Sequence, residues 1–439
     1  MMLQRMLKSL KKRFLRQIIV KTIQIKRLLL KILLSILKRK IKKMVRKNRM
    51  KKIISAGVLF TTTSLMALMG EQAYLYKDGR IMGMGGANVA VGGYSTSIFS
   101  NPAGLINIKK EHGFVVDLLG VGIGASPKLK DFADDIDEAG DDSDKVATVI
   151  DEYSGEAFHL GINSYSAVSK NSSLFAWSVG LLSAVDVNLV VHGNGSTSGA
   201  PLETSSRGYG GIFIGGAKEY VTEYGDVTIG IGLKYVAQRS YEGAVYISDL
   251  TDDNATDIVQ ERYERDASGF GIDIGVIYKP LEDSYWHPAF GLSVLNIGAM
   301  DMDDNYGGQP LSVNIGASIS PEVSYIESLV VAIDYVDVFN ANKIRIYSFD
   351  EDSKTQVHKD YTDGDIAKRV RLGVGVGLID SRFFSAQLNG GFYQGSYTAG
   401  LNLEIAMLKL SFATYEEQLG TQSVDITDRR YMVQLGFGW

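Results

Sequence analysis

The chain has 439 residues, no cysteine, 48 glycines and only 7 prolines, and 45% of it is hydrophobic against 22% charged. Without thiols there is no disulfide scaffold, zinc finger, iron–sulfur centre or cysteine nucleophile, and the apolar, aromatic content excludes a disordered chain. The net charge of -4 hides an asymmetry: residues 1–52 hold 20 of the 46 Lys and Arg and none of the 50 Asp and Glu, leaving 26 against 50, a net -24, for the rest.

Basic leader and acidic body are therefore read separately. Residues 1–49 read as an over-extended start; the alternatives are a basic amphipathic helix lying on anionic lipid and a nucleic-acid arm, for which Phe14 is the single aromatic on offer. Met50, Lys51 and Lys52 then begin a signal peptide over 50–73, with an apolar stretch from Ile53 to Leu68 too short to span a bilayer. Ala67, Gly70 and Ala73 are the candidate cleavage residues. No uninterrupted apolar run reaches the roughly 18 residues of a spanning helix, which argues against a helical membrane protein.

Residues 74–110 precede the first strand. They include a glycine-rich stretch with Gly83, Gly85 and Gly86, closing on Asn101-Pro102-Ala103-Gly104. Pro102 fixes its own φ and biases Asn101 to an extended conformation, and the Asn101 side chain can hold a turn.

From about residue 111 the body reads as β throughout. Leu311, Val313, Ile315, Ala317 and Ile319 alternate with small polar residues, as do Phe270, Ile272, Ile274 and Val276, where Ile277 breaks the pattern. About fourteen strands are expected, over 113–124, 156–168, 173–193, 206–221, 226–249, 258–279, 287–299, 310–320, 328–338, 366–379, 382–393, 396–406, 407–416 and 430–439. Many reach ten residues, the length at which a tilted strand crosses a bilayer's hydrocarbon layer. The connections sort by length. Those after even strands are short; those after odd strands are long, at 125–155, 194–205, 250–257, 300–309, 339–365 and 417–429, with a short exception near Gln394. Short turns on one rim and long loops on the other describe an all-β, antiparallel outer-membrane barrel, and in lipid its sheet has to close.

Catalytic chemistry is not signalled. The histidines at 112, 159, 192, 287 and 358 have no metal spacing, His159 falls on an inward strand face, and no nucleophile elbow or phosphate loop occurs. The expectation is a protein without cofactor and without enzymatic activity. Two acidic loops are weak cation candidates: residues 131–144, and Asp301, Asp303 and Asn305, spaced like the first half of a calcium loop but with Gly307 one place late and Ser312 where a Glu is needed.

The chain ends on Tyr431, Val433, Leu435, Phe437 and Trp439 along one strand face. This resembles the C-terminal signal that outer-membrane barrels present to their assembly machinery. With the Asn-Pro-Ala stretch ahead of fourteen strands, the chain resembles the long-chain fatty-acid transporter (FadL-type) superfamily, which includes the PorV-like proteins of type IX secretion. Within it the likeness is nearest to the family labelled "conjugal transfer protein TraF", supported by Tyr393 to Leu401 and by Tyr415-Glu416-Glu417-Gln418-Leu419-Gly420, where those proteins usually have Glu-Glu-Leu-Gly. The resemblance implies a plug, or hatch, of residues 74–110 inside a barrel of 111–439. It also implies gating by Gly83, Gly85, Gly86, Asn101, Pro102, Ala103 and Gly104, and a kinked wall strand offering a lateral exit. The expected function is passive uptake of hydrophobic, fatty-acid-like molecules; the alternative is a non-transporting scaffold for a secretion or conjugation apparatus. Expected partners are outer-membrane lipids, the barrel-assembly machinery and a hydrophobic small molecule, with no nucleic acid, in the outer membrane of a Gram-negative-type bacterium.

Overall fold

The computed structural model describes residues 71–438 apart from 111–112, 141, 173–174, 193–200, 246, 248–262, 281–283, 351–354, 382 and 421–425. The basic leader, the signal peptide through residue 70, His112 and Trp439 lie outside the described residues.

The strands are β1 Phe114–Ala125, β2 Ala157–Asn171, β3 Ala176–Val191, β4 Leu202–Thr222, β5 Gly225–Val245, β6 Arg265–Lys279, β7 Ala289–Ala299, β8 Ser312–Ile319, β9 Ser328–Tyr335, β10 Lys343–Asp350, β11 Thr355–Thr362, β12 Val370–Asp380, β13 Phe384–Tyr393, β14 Ser396–Ile405, β15 Leu408–Gln418 and β16 Thr427–Gly438. All but β10 and β11 form one closed antiparallel barrel of fourteen strands, in which β1 pairs with both β2 and β16. Closure leaves no wall strand with an unpaired edge, which is what a sheet in hydrocarbon requires.

The period-2 alternation sets the faces. Ile212, Ile214, Ile229, Ile231, Ile274, Leu292, Ile315, Ile333, Val374, Leu388, Phe412 and Val433 are all exposed on the outside. Apolar patches on soluble monomers stop at a few hundred Å², so an encircling band of this kind is a lipid-facing surface. The inward face is polar and glycine-rich. Among the described residues no helix is long and apolar enough to cross a membrane; the crossing elements are strands.

The loop asymmetry holds, and the exception near Gln394 is a tight turn with Gln394 at φ 52° and Gly395 at φ 84°, the left-handed pair of a two-residue hairpin. Two of the long connections carry structure of their own. Residues 339–365 contain the separate β10–β11 hairpin. Residues 125–155 contain helices Leu129–Ala139 and Ser143–Glu152, which pack Phe132 on Phe158 with ring centroids 4.8 Å apart. The register of β1 slips by one residue between Asp117 and Gly120 against β2, and between Leu118 and Val121 against β16. The bulge bends the strand at the seam where the barrel closes.

Candidate functional site

Residues 71–108 run inside the barrel, from the long-loop rim to the short-turn rim, before β1 begins. A short helix, Gly79–Gly83, is capped by the Asp78 side chain, and two 3₁₀ segments follow, Ser95–Phe99 and Pro102–Asn107. Asn101 is extended at φ -156° and ψ 109°, and its side chain accepts from Ala103 N at 3.0 Å. Its amide also donates to Val89 O of the hatch at 2.7 Å and to Val276 O of the wall at 3.2 Å. One side chain thus shapes the turn, ties the hatch to itself and ties it to β6.

The wall accepts the hatch because it is glycine there. A Cβ on Gly275 would collide with the Asn101 side chain, one on Gly230 with the Ala103 backbone, and one on Gly291 with Val89. Gly83 and Gly400 meet backbone to backbone: a Cβ on Gly83 would stand 2.9 Å from the Gly400 Cα. Gly85 lies at φ 67° with backbone atoms of Leu372 and Phe392 where a side chain would go, so it requires glycine both in conformation and in space. Ala103 is fully buried and packs on Ile277 and Ala289. Ile277, the break in the alternation of β6, faces inward against the hatch.

Asp334 on β9 completes this lower seat. One of its oxygens accepts from Asn88 N at 2.6 Å and from Val89 N at 2.8 Å. Asp334 carries a single signal in the sequence, an acidic residue at an inward position of a wall strand.

The upper end is held by charge. Lys77 Nζ lies 3.0 Å from Glu71 and 2.6 Å from Glu417, and Arg430 lies 2.7 Å from Glu71 and 2.6 Å from Asp428. Burial alone would raise the Glu71 carboxyl, but Arg430 and Lys77 outweigh it and hold it well below the usual carboxylate range. Burial would likewise lower the Lys77 ammonium, and Glu417, Tyr393 and Glu71 instead push it well above its ordinary value. His159, with Nδ1 2.7 Å from Asn188 Oδ1, belongs to the wall of this knot. Arg207 reaches Asp186 at 3.2 Å and the Tyr74 carbonyl at 2.7 Å.

Among the described residues, cavities border the hatch. The central one, about 190 Å³, lies between the hatch and the wall strands β5, β7, β8 and β12, with Tyr76, Phe99, Leu295, Lys234 and Arg371 among its lining. A second of about 200 Å³ opens at the long-loop rim beside Glu71, Arg207 and Tyr306. A third, about 60 Å³, reaches from Tyr76 to Leu118 and Phe437 at the β1 bulge.

Gly83, Gly85 and Gly86 sit against β12–β14 and Asn101, Pro102 and Ala103 against β5 and β6, whereas Gly104 packs within the hatch on Gly92 and Ser97. The structure does not bring Asp301, Asp303 and Asn305 together as a ligand set. That turn has left-handed φ at Met302, Asp303 and Asp304, which drives Met302 fully into the lumen core. Among the described residues no group of three His, Asp or Glu is placed to hold a metal ion. Tyr431 and Val433 are exposed on the outer face of β16, and Leu435 and Phe437 are partly so.

Residues 98–390 match the family model described as "F plasmid transfer operon, TraF, protein", and the chain belongs to that family. No curated protein matches it in sequence. Among solved structures it is similar to a deletion mutant of the TodX monoaromatic hydrocarbon channel, with a TM-score of 0.50 and 11% identity over 82% of this chain and 98% of that one. It is also similar to the Ralstonia pickettii toluene transporter TbuX, with 0.47 and 13% over 81% and 97%, and to a Pseudomonas aeruginosa FadL homologue, with 0.45 and 9% over 84% and 99%. At these identities the likeness is one of fold.

Proposed function

We propose that this TraF-family barrel sits in the outer membrane and passively admits hydrophobic small molecules through a lumen that the hatch gates. The observation that carries the reading is a lipid-facing closed barrel whose lumen is filled by a separate segment seated on wall glycines, with cavities left along the seat. A plug built from the wall's own side chains could not leave; one seated on glycine can shift without tearing a strand. The kinked strand that the resemblance implies corresponds to β1, and the small cavity beside its bulge supports a lateral exit there. The name of the TodX channel supports the substrate class. We read the export signal as starting at Met50 and ending at Gly70 among its candidate cleavage residues, because Glu71 and Gln72 hold contacts inside the barrel, and the outer face of β16 as the assembly signal.

A scaffold barrel serving a conjugation or secretion apparatus is the second reading, favoured by the family's description and by the density of ion pairs that pin residues 71–77. The two readings part on permeability. Removing residues 83–104 should leave the barrel assembled and raise its single-channel conductance in a planar bilayer above that of the intact protein. Equal closure of both forms would overturn the channel reading in favour of the scaffold.

A further inference from the structure

Arg371 on β12 is buried and lines the central cavity. Its guanidinium donates to the carbonyls of Lys368 at 2.7 Å and Val370 at 3.0 Å, and to the side-chain oxygen of Gln72, and it stacks over the Tyr393 ring at 4.0 Å. All of these partners are neutral, and no carboxylate among the described residues forms an ion pair with it. The neighbouring cations differ. Lys234 meets both oxygens of Asp273, at 2.7 and 2.8 Å, Lys77 has Glu71 and Glu417, and Arg80 has Asp78 at 2.6 Å. Asp334 and Glu417 act on Arg371 from a distance without pairing with it: one Asp334 oxygen accepts from the hatch backbone and the other meets no hydrogen-bond donor among the described residues, and Glu417 is bound to Lys77, Tyr393 and Gln394.

A charge out of water is costly unless an opposite charge meets it. The guanidinium fork is also the geometry that grips a carboxylate in a bidentate manner. The rest of the lining is mixed: Lys77, Asp78, Lys234 and Asn314 are polar, while Leu75, Tyr76, Ile81, Phe99 and Leu295 give it an apolar, partly aromatic side, with Tyr76 and Phe99 centroids 5.3 Å apart. Its volume of about 190 Å³ compares with the roughly 150 Å³ in which an apolar protein cavity takes up benzene. With the hatch seated this volume suits one ring and a small head group.

We infer that the central cavity binds a small apolar carboxylate, of the single-ring or short-chain class, with Arg371 meeting its negative charge and the hatch and β7 enclosing its body. The inference rests on the channel reading above and narrows its hydrophobic small molecules to single-ring or short-chain anions.

Benzoate and benzyl alcohol share a ring and differ in charge, so they serve as the two probes. In equilibrium dialysis against the purified full-length barrel, benzoate should bind at least about tenfold more tightly than benzyl alcohol, which is one decade of dissociation constant. Gln72→Glu is the sharper variant. It is nearly isosteric, it places a carboxylate against Arg371, and it should reduce benzoate binding about tenfold while leaving benzyl alcohol unchanged. Arg371→Met should do the same, with heat-modifiable gel mobility reporting whether its barrel still folds; where it does not, Gln72→Glu decides. A purely structural Arg371 would tolerate the new ion pair with no change in benzoate affinity. That result, or equal binding of the two probes, overturns the inference. Failure of both probes to bind overturns it as well, and the conductance of the barrel lacking residues 83–104 then shows separately whether the channel reading falls with it.

Discussion

Ala103 shows how little freedom a single residue in the seat has. Its side chain is one methyl, it is fully buried, and its backbone lies where any side chain on Gly230 would have to go. Packed interiors resist added volume, and overpacking costs about 1–3 kcal/mol. Replacing Ala103 by Trp should therefore lift the 3₁₀ segment Pro102–Asn107 from β5 and β6 while the wall, whose own pairing is untouched, still closes. The expected readout is faster limited proteolysis of residues 83–104, with unchanged heat-modifiable mobility. Unchanged protection of the segment would mean that the seat is looser than its contacts indicate. Asp334 is a different case. Its carboxylate satisfies two buried backbone N–H groups that would otherwise lie unpaired, and unmet donors of this kind cost about 1–3 kcal/mol each.

At the scale of elements, β16 carries the closure. It pairs with β15 along its whole length and with β1 across the bulge, from Asp117↔Gly438 to Ala125↔Tyr431. Removing Phe437–Trp439 would strip the partners of Asp117 and Leu118 and leave strand backbone unpaired at the seam. Unpaired N–H and C=O groups in hydrocarbon cost several kcal/mol each. The truncated chain should therefore fail to reach the heat-modifiable outer-membrane form and be recovered from the periplasm or as fragments; unchanged membrane yield would count against both the closure argument and the assembly-signal reading. The wall strands were legible beforehand because one lipid face and one lumen face impose period 2 on every one of them. Ile277 broke the period because it faces the hatch, so the exception itself pointed to a contact. The helices at 129–152 were hidden by their charge: Phe132 and Ala139, seven apart and both buried, sit among carboxylates that dominate a composition reading. The Gln394 turn is short although it lies on the long-loop rim, and its side chain is tied to β15. Gln394 is buried, donates to Glu417 at 3.0 Å and accepts from Gln418 N at 2.6 Å. The hatch motif was readable as local turn chemistry, whereas Asp334 and Arg371 were not, because each acts on a segment some 250–300 residues distant in sequence.

Over the whole molecule the hatch is held by two unlike devices, close glycine packing at the short-turn end and buried ions at the long-loop end. They differ in what releases them. Packing yields to a bulky ligand or residue, whereas the ion knot yields to loss of a partner or of a charge. The pH dependence follows from the direction of the two shifts. Glu71 is held below its ordinary 4.5, so its contribution is present above that value and is lost only as pH falls towards the depressed folded value. Lys77 is raised above its ordinary 10.5, so its contribution is present below that value and is lost only as pH rises beyond it. Between the two the upper anchor should not change, and proteolytic protection of residues 71–77 should be flat from about pH 5 to 9, falling in stronger acid. Lys77→Met should behave otherwise. It leaves Glu417 and Glu71 buried with one cation fewer, and breaking a buried pair from one side costs about 3–5 kcal/mol. Adding Glu417→Gln to Lys77→Met should recover much of that loss, because the orphaned charge is removed with its partner. A double variant no better protected than the single one, or a steep change in protection between pH 6 and 8, would show that the ion knot is not what holds the hatch at this end.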